Sequence, residues 1–220
     1  MKPMNAVTKR LLIALGVVLV VSAGFIVADQ RAGNTPPENA GTKLVEFRDE
    51  EAGFSVSLPG SWQLLTENSD DALVRLLAGP KGTDDTVSVK VIPLPSEVVI
   101  DSQTPQEEIN ALQATFDQIV DQLPGLVEVV QRQRLILNGT PGWYYTYKFR
   151  DGDQQGIHFL YFLFEGDKEY VVTFQAFPED HFPELAPVFD EIITTFNFKL
   201  DEATPEASAS PSVAATPPAP

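Results

Sequence analysis

The sequence predicts an α+β fold, an antiparallel β-sheet flanked by helices as an α/β/α sandwich, and three observations predict it. Between residues 43 and 200, short stretches alternate apolar and polar residues and are separated by tight-turn dipeptides. Two other stretches repeat apolar residues every three or four positions, one between strands and one at the end of the domain. Residues 157–164 (IHFLYFLF) are apolar on both faces, so that strand belongs mid-sheet with a layer on either side.

Each element follows in order. Residues 53–59 alternate Phe54, Val56 and Leu58 against Ser55 and Ser57, the pattern of a half-buried strand. Pro59-Gly60-Ser61 turns the chain, and Trp62 opens a new strand. Residues 71–79 (DALVRLLAG) fit strand or helix. Their short length, between Asn68-Ser69-Asp70 and Gly79-Pro80, favours strand. Residues 86–94 set Val87, Val89 and Val91 against Thr86, Ser88 and Lys90, a further strand.

Residues 104–123 form the clearest helix. Thr104 is placed to cap it, Pro105 suits the first helical position and Glu107 completes a capping box. Ile109, Leu112, Phe116, Ile119, Val120 and Leu123 make one apolar stripe, and Pro124-Gly125 stops the helix. A strand over 127–137 ends at Asn138-Gly139, a pair suited to the two left-handed positions of a tight hairpin. Residues 143–150 put Trp143, Tyr145, Tyr147 and Phe149 on one face. Residues 151–156 turn the chain into the mid-sheet strand, and Glu165-Gly166-Asp167 turns it again into a strand over 169–177. A final helix starts near Phe182 or Pro187 and runs to Phe196, with Leu185, Phe189, Ile192, Ile193 and Phe196 as its stripe. Pro187 sits in its first turn or kinks it.

The ends of the chain differ from this domain. Lys2, Lys9 and Arg10 precede an uncharged, Leu/Val/Ile-rich run over residues 11–28. As a helix it reaches roughly 27 Å, against a hydrocarbon core of roughly 30 Å. The basic flank stays in the cytoplasm, which puts the rest of the chain outside. Val21-Ser22-Ala23 offers a cleavage site, but the run continues past it, beyond the length of an ordinary signal core. A retained signal-anchor is therefore the favoured reading, and a cleaved, secreted form the alternative. The division that results is 1–28 cytoplasmic tip and anchor, 29–42 flexible tether, 43–200 globular domain, and 201–220 a Pro/Ala/Ser/Thr-rich tail expected to be disordered. The absence of Cys excludes a lipid anchor on cysteine, a disulfide framework and any thiolate metal site. A formal net charge of −16 argues against nucleic acid as a partner.

Two segments resemble a known family. Gly53-Phe54-Ser55-Val56-Ser57-Leu58-Pro59-Gly60-Ser61-Trp62 resembles the opening of PsbP-like domains, a Gly-Phe followed by alternating residues, Pro and Trp. Phe189-Asp190-Glu191-Ile192-Ile193-Thr194-Thr195-Phe196 is similar to their terminal helix, which closes on a Ser/Thr-Phe pair. The resemblance spans about residues 43–199. It implies an α/β/α sandwich and a habit of binding partners without catalysis, and with the anchor it implies a bacterial extracytoplasmic relative.

The candidate sites are few. His158 lies in an apolar strand and His181 before the last helix. With no nucleophile in view, each reads as a structural or surface residue. Ser61 belongs to a turn and lacks the setting of a nucleophile elbow. Residues 151–156 (DGDQQG) begin like a calcium loop, but Phe162 stands where the bidentate Glu is needed, so they read as a hairpin turn. Asp70, Asp71, Asp84 and Asp85 are the weak metal candidates: four carboxylates would attract a divalent cation if the two pairs flanked one hairpin end, although solvated loop charge explains them better. Asn138-Gly139-Thr140 matches a glycosylation acceptor, yet the turn explains it, and Pro141 weakens the match. The aromatic face from Trp143 to Phe149 reads as core under a helix before it reads as a ligand groove. The expected function is a non-enzymatic, cofactor-free binding or accessory module at the cell membrane, working through an envelope protein partner. The alternative is a small-ligand or cation-binding sensor or carrier.

Overall fold

The computed structural model describes residues 43–66 and 71–200. The segments 1–42 and 201–220, which hold the expected anchor, tether and tail, lie outside the described residues, as does Asp70. The elements in chain order are β1 (Leu44–Asp49), β2 (Phe54–Pro59), β3 (Gln63–Leu64), β4 (Val74–Gly79), β5 (Thr86–Pro93), α1 (Gln106–Asp121), β6 (Leu126–Leu137), β7 (Thr140–Asp151), β8 (Gln154–Glu165), β9 (Lys168–Ala176), a 3-10 turn (Glu179–His181) and α2 (Phe182–Thr194).

Seven strands form one antiparallel sheet in the order β3-β4-β5-β9-β8-β7-β6, and β1 and β2 form a separate hairpin. The sheet is two meanders, β3–β5 and β6–β9, joined where β5 pairs with β9. Reaching the far edge from β5 requires a crossover, and α1 makes it. β8 lies inside the sheet between β9 and β7, as its two-sided apolar pattern requires.

Two cores follow from the pleat. On one face, Ile109, Leu112, Phe116 and Val120 of α1 pack on Trp143, Tyr145, Tyr147, Phe149, Leu160, Phe162 and Phe164. On the other, Leu185, Phe189, Ile192 and Ile193 of α2 and Phe54, Val56 and Leu58 of β2 cover Val87, Val89, Val172 and Phe174. The helix–sheet–helix arrangement is therefore the observed one, with the β1–β2 hairpin added beside α2.

The structure departs from the sequence reading at three points and decides a fourth. β1 has no clear alternation, since Glu46, Arg48 and Asp49 interrupt its apolar residues, and it forms only because β2 pairs with it from Leu44↔Pro59 to Asp49↔Phe54. β2 is buried almost throughout: Ser55 exchanges main-chain hydrogen bonds with Asn197 at 2.9 Å each, and the Ser57 N–H donates to Thr195 Oγ1 at 2.9 Å. Thr104 does not cap α1. Its Oγ1 accepts from the Asp101 N–H at 2.9 Å, closing a turn, and the helix begins at Gln106 with Pro105 at the cap position. Of the two starts the sequence allows for α2, Phe182 is the observed one, which puts Pro187 inside the helix and not in its first turn.

The β6–β7 turn behaves as its sequence predicts, with Asn138 at φ 49° and Gly139 at φ 88°. The Asn138 amide also donates to the carbonyls of Phe196 (2.6 Å) and Thr194 (3.1 Å), so this turn caps the end of α2. Asn138→Ala both strains the left-handed position and removes those bonds. A loss of about 1–2 kcal/mol is expected in urea unfolding, most of it retained in Asn138→Gly if capping dominates.

Candidate functional site

The polar groups inside the two cores are the places where this domain departs from a simple packed fold. The four metal candidates do not converge. Asp71 precedes β4 and Asp85 precedes β5, so the antiparallel pairing puts them at opposite ends of that hairpin. Asp71 accepts from Lys90 Nζ at 2.7 Å and from the Leu73 N–H at 3.0 Å. Burial pushes its carboxyl up, but these bonds outweigh that and hold it below the usual range. The Asp84 carbonyl accepts from Gln175 Nε2 at 2.6 Å. Asp85 is fully buried: Oδ1 accepts from the Phe177 N–H and Oδ2 lies 2.8 Å from His181 Nδ1. Among the described residues no group of three or more His, Asp or Glu is placed to hold a metal ion.

Both histidines are buried. His158 lies on the α1 side, with Nδ1 2.6 Å from the Tyr147 hydroxyl and Nε2 2.7 Å from Gln175 Oε1, and its ring stacks on Phe149 at 4.1 Å. Burial lowers its pKa to about 4, so it is neutral at pH 7 with both nitrogens engaged by the fold. His181 tethers the start of α2 to Asp85. Burial raises the Asp85 carboxyl, and the Phe177 amide and His181 offset part of that rise. A His–Asp pair is the orienting half of a triad, but among the described residues no other side chain hydrogen-bonds His181. The pair instead ties the β4–β5 turn to the segment before α2.

The aromatic face from Trp143 to Phe149 is core, as its alternation predicts. Phe116 of α1 sits 4.9 Å from the Trp143 ring and 4.6 Å from that of Phe162. The calcium-like segment is a hairpin with Gly152 at φ 57°, tighter than the six-residue turn expected, because β7 runs to Asp151 and β8 starts at Gln154. Ser61 is in a turn.

Sequence reasoning missed Glu169. It is 1% exposed, and its ladder neighbours Ile92 and Phe164 place it on the α1 face. Burial raises its pKa to about 8. Glu169 Oε1 and the nearby core's Trp143 Nε1 are buried without hydrogen-bond partners among the described residues. The available signal was a lone acid beginning an otherwise apolar strand, and next to the Glu165-Gly166-Asp167 turn it reads as solvated turn charge.

The sequence profile of the PsbP family matches residues 42–198. The chain belongs to the PsbP family. The two signatures of this PsbP domain meet in space: Phe54 stacks on Phe196 at 6.3 Å, Trp62 meets Phe189 edge-on at 6.5 Å, and Ser55 pairs with Asn197. They join the β1–β2 hairpin to α2 and so carry architecture. Among solved structures, the chain is similar to cyanobacterial PsbP (CyanoP) from Synechocystis sp. PCC 6803, at 15% identity, TM-score 0.49, covering 71% of this chain and 93% of that one. It is also similar to the Ran-binding protein Mog1p of Saccharomyces cerevisiae, at 10% identity, TM-score 0.47, over 71% and 96% of the two chains. A third is LpqN, involved in cell envelope biogenesis of Mycobacterium tuberculosis, at 13% identity, TM-score 0.43, over 72% and 86%. No curated protein sequence matches the chain.

Proposed function

We propose that this PsbP-family protein is a non-catalytic binding or accessory module, held at the outer face of the cell membrane by residues 11–28 and acting through a protein partner. One observation carries the reading: the histidines and the buried acid Asp85, the groups from which an active site would be assembled, are engaged in holding strands and loops together. The basic-flanked apolar run, the polar tether and the acidic composition support an anchored domain facing outward. Crosslinking of the tagged full-length protein in its native membrane tests this. One recurrent, stoichiometric partner is the expected result, with the protein retained in the membrane after an alkaline wash. A protein recovered alone, or saturable turnover abolished by substituting His158 or His181, overturns it.

A small-ligand or cation carrier is the second reading, favoured by the unsatisfied Glu169 and Trp143 atoms beneath α1. It predicts a ligand-dependent rise in Tm of the full-length protein. A melting temperature unchanged across amines, cations and neutral metabolites removes it.

A further inference from the structure

The α2 face of the sheet is covered unevenly. In the row Val89–Val172–Tyr161–Tyr144–Gln133, the first two residues are fully buried, Tyr144 is half-buried and Gln133 is exposed. In the row Val87–Phe174–Phe159–Thr146–Gln131, Phe159 is half-buried, Thr146 buried and Gln131 exposed. The helix covers the inner strands and leaves a strip of sheet open between itself and β6.

The floor of this strip is aromatic. The Tyr144 ring lies 4.8 Å from that of Tyr161 and 5.9 Å from that of Phe159, each pair tilted, and on its α2 side Phe159 meets Phe182 and Phe189 edge-on at 5.3 and 6.1 Å. The Tyr144 hydroxyl and Thr146 Oγ1 are 2.6 Å apart, and on the outer side Gln131 donates to Gln133 at 2.8 Å. On the α2 side stands Asp190, exposed and in no ion pair with any of the described Lys or Arg residues. It follows Phe189, whose ring meets that of Phe159 edge-on at 6.1 Å, so it stands at the α2 margin of the strip. Burial raises the Tyr144 and Tyr161 hydroxyls above the usual tyrosine range; Tyr144 adds to the rise at Tyr161, and Asp190's charge adds a smaller part at both.

We infer that this strip is a receptor for a basic side chain, Lys or Arg, presented by a protein partner, with the cation held over Tyr144 and Phe159 and paired to Asp190. The complementarity decides the occupant. Aromatic faces and a carboxylate without a counter-ion attract a cation. An apolar wedge would leave the Tyr144 and Gln133 polar groups and Asp190 desolvated, and an anion would meet Asp190. The inference rests on the protein-binding reading above and names the surface and chemistry that reading requires.

The test titrates isotope-labelled full-length protein, in neutral detergent micelles, with tetra-arginine amide at about 0.15 M salt, where attraction beyond ~8 Å is screened. Tyrosine-ring NMR signals report the site. Asp190→Asn and Tyr144→Leu are each expected to weaken binding by about threefold, the scale of one exposed ion pair or cation–π contact. Glu184→Gln, an exposed acid on the same helix, removes the same charge and is expected to leave Kd unchanged. Equal weakening by Glu184→Gln and Asp190→Asn overturns the inference, because net charge alone then accounts for the binding, and no binding by the parent protein overturns it because the strip then does not receive a basic side chain. Failure of the peptide to bind while crosslinking still recovers a stoichiometric partner removes this site and leaves the accessory reading standing. Site-specific binding with no partner recovered does the reverse.

Discussion

Phe116→Ala is expected to cost about 3–5 kcal/mol, the largest loss from any single side chain of α1. Phe116 is fully buried, and three rings surround it: Phe162 at 4.6 Å, Trp143 at 4.9 Å and Phe164 at 5.8 Å. Those rings come from two central strands, so the helix cannot settle into the space without moving along a rigid sheet. Its other ties are peripheral. Asp117 accepts from the Tyr145 hydroxyl at 3.0 Å, and Arg132 of β6 pairs with Asp117 and Asp121 from a half-exposed position. Exposed pairs of that kind contribute up to about 1 kcal/mol. A shift of the urea midpoint at constant slope measures the loss, and Phe116→Leu is expected to recover most of it. A cost below about 1 kcal/mol would mean that α1 rests on its polar ties, and the two-core description would fail on that face.

This core is legible in the residues alone, because its signals are local. The spacing Ile109, Leu112, Phe116, Val120 has helical period, and the facing row from Trp143 to Phe149 has period two, so each element declares which side it buries. Asn138-Gly139 likewise fixes its hairpin through its own backbone needs. What is not legible is set by residues distant in sequence. β1 is a strand because β2 lies beside it, and Ser55 is buried because Asn197 closes over it. The capping box at Thr104 fails because Asp101, three residues earlier, holds the Thr104 and Gln103 N–H groups in its own turn at 3.0 and 2.8 Å. The Asp–His tie between residues 85 and 181 joins two loops across α1 and five strands of sequence, and no spacing rule reaches that far.

Glu169→Gln is expected to stabilise the protein, and by an amount that grows with pH. The folded protein holds the Glu169 proton up to about pH 8, while an unfolded chain releases it near pH 4.3. Between those values the folded state binds one proton more than the unfolded state, so stability falls as pH rises, by about 1.4 kcal/mol per unit. At pH 7 the loss is about 4 kcal/mol. Glutamine is neutral in both states and keeps the shape of the protonated acid, so the variant gains nothing near pH 4, gains about 4 kcal/mol at pH 7 and levels off above pH 8.

His158 acts in the opposite sense. Its folded pKa of about 4 lies below the unfolded value near 6.5. The stability it contributes is complete above pH 6.5 and is lost as pH falls toward 4. Between about pH 4.5 and 6.5 the contributions of these two groups cancel in the parent protein, and above that window the falling Glu169 slope is no longer offset by the histidine. Glu169→Gln removes the falling Glu169 slope and keeps every other, the histidine's included, so the gap between variant and parent should widen through that same window and level off above pH 8. Urea unfolding of the full-length protein and the variant at intervals from pH 4 to 8.5 separates these shapes. A difference between them that is constant with pH would show Glu169 ionised in the folded state and satisfied by a partner. The apolar corner formed by Ile92, Phe164 and Glu169 would then have to admit water or a cation.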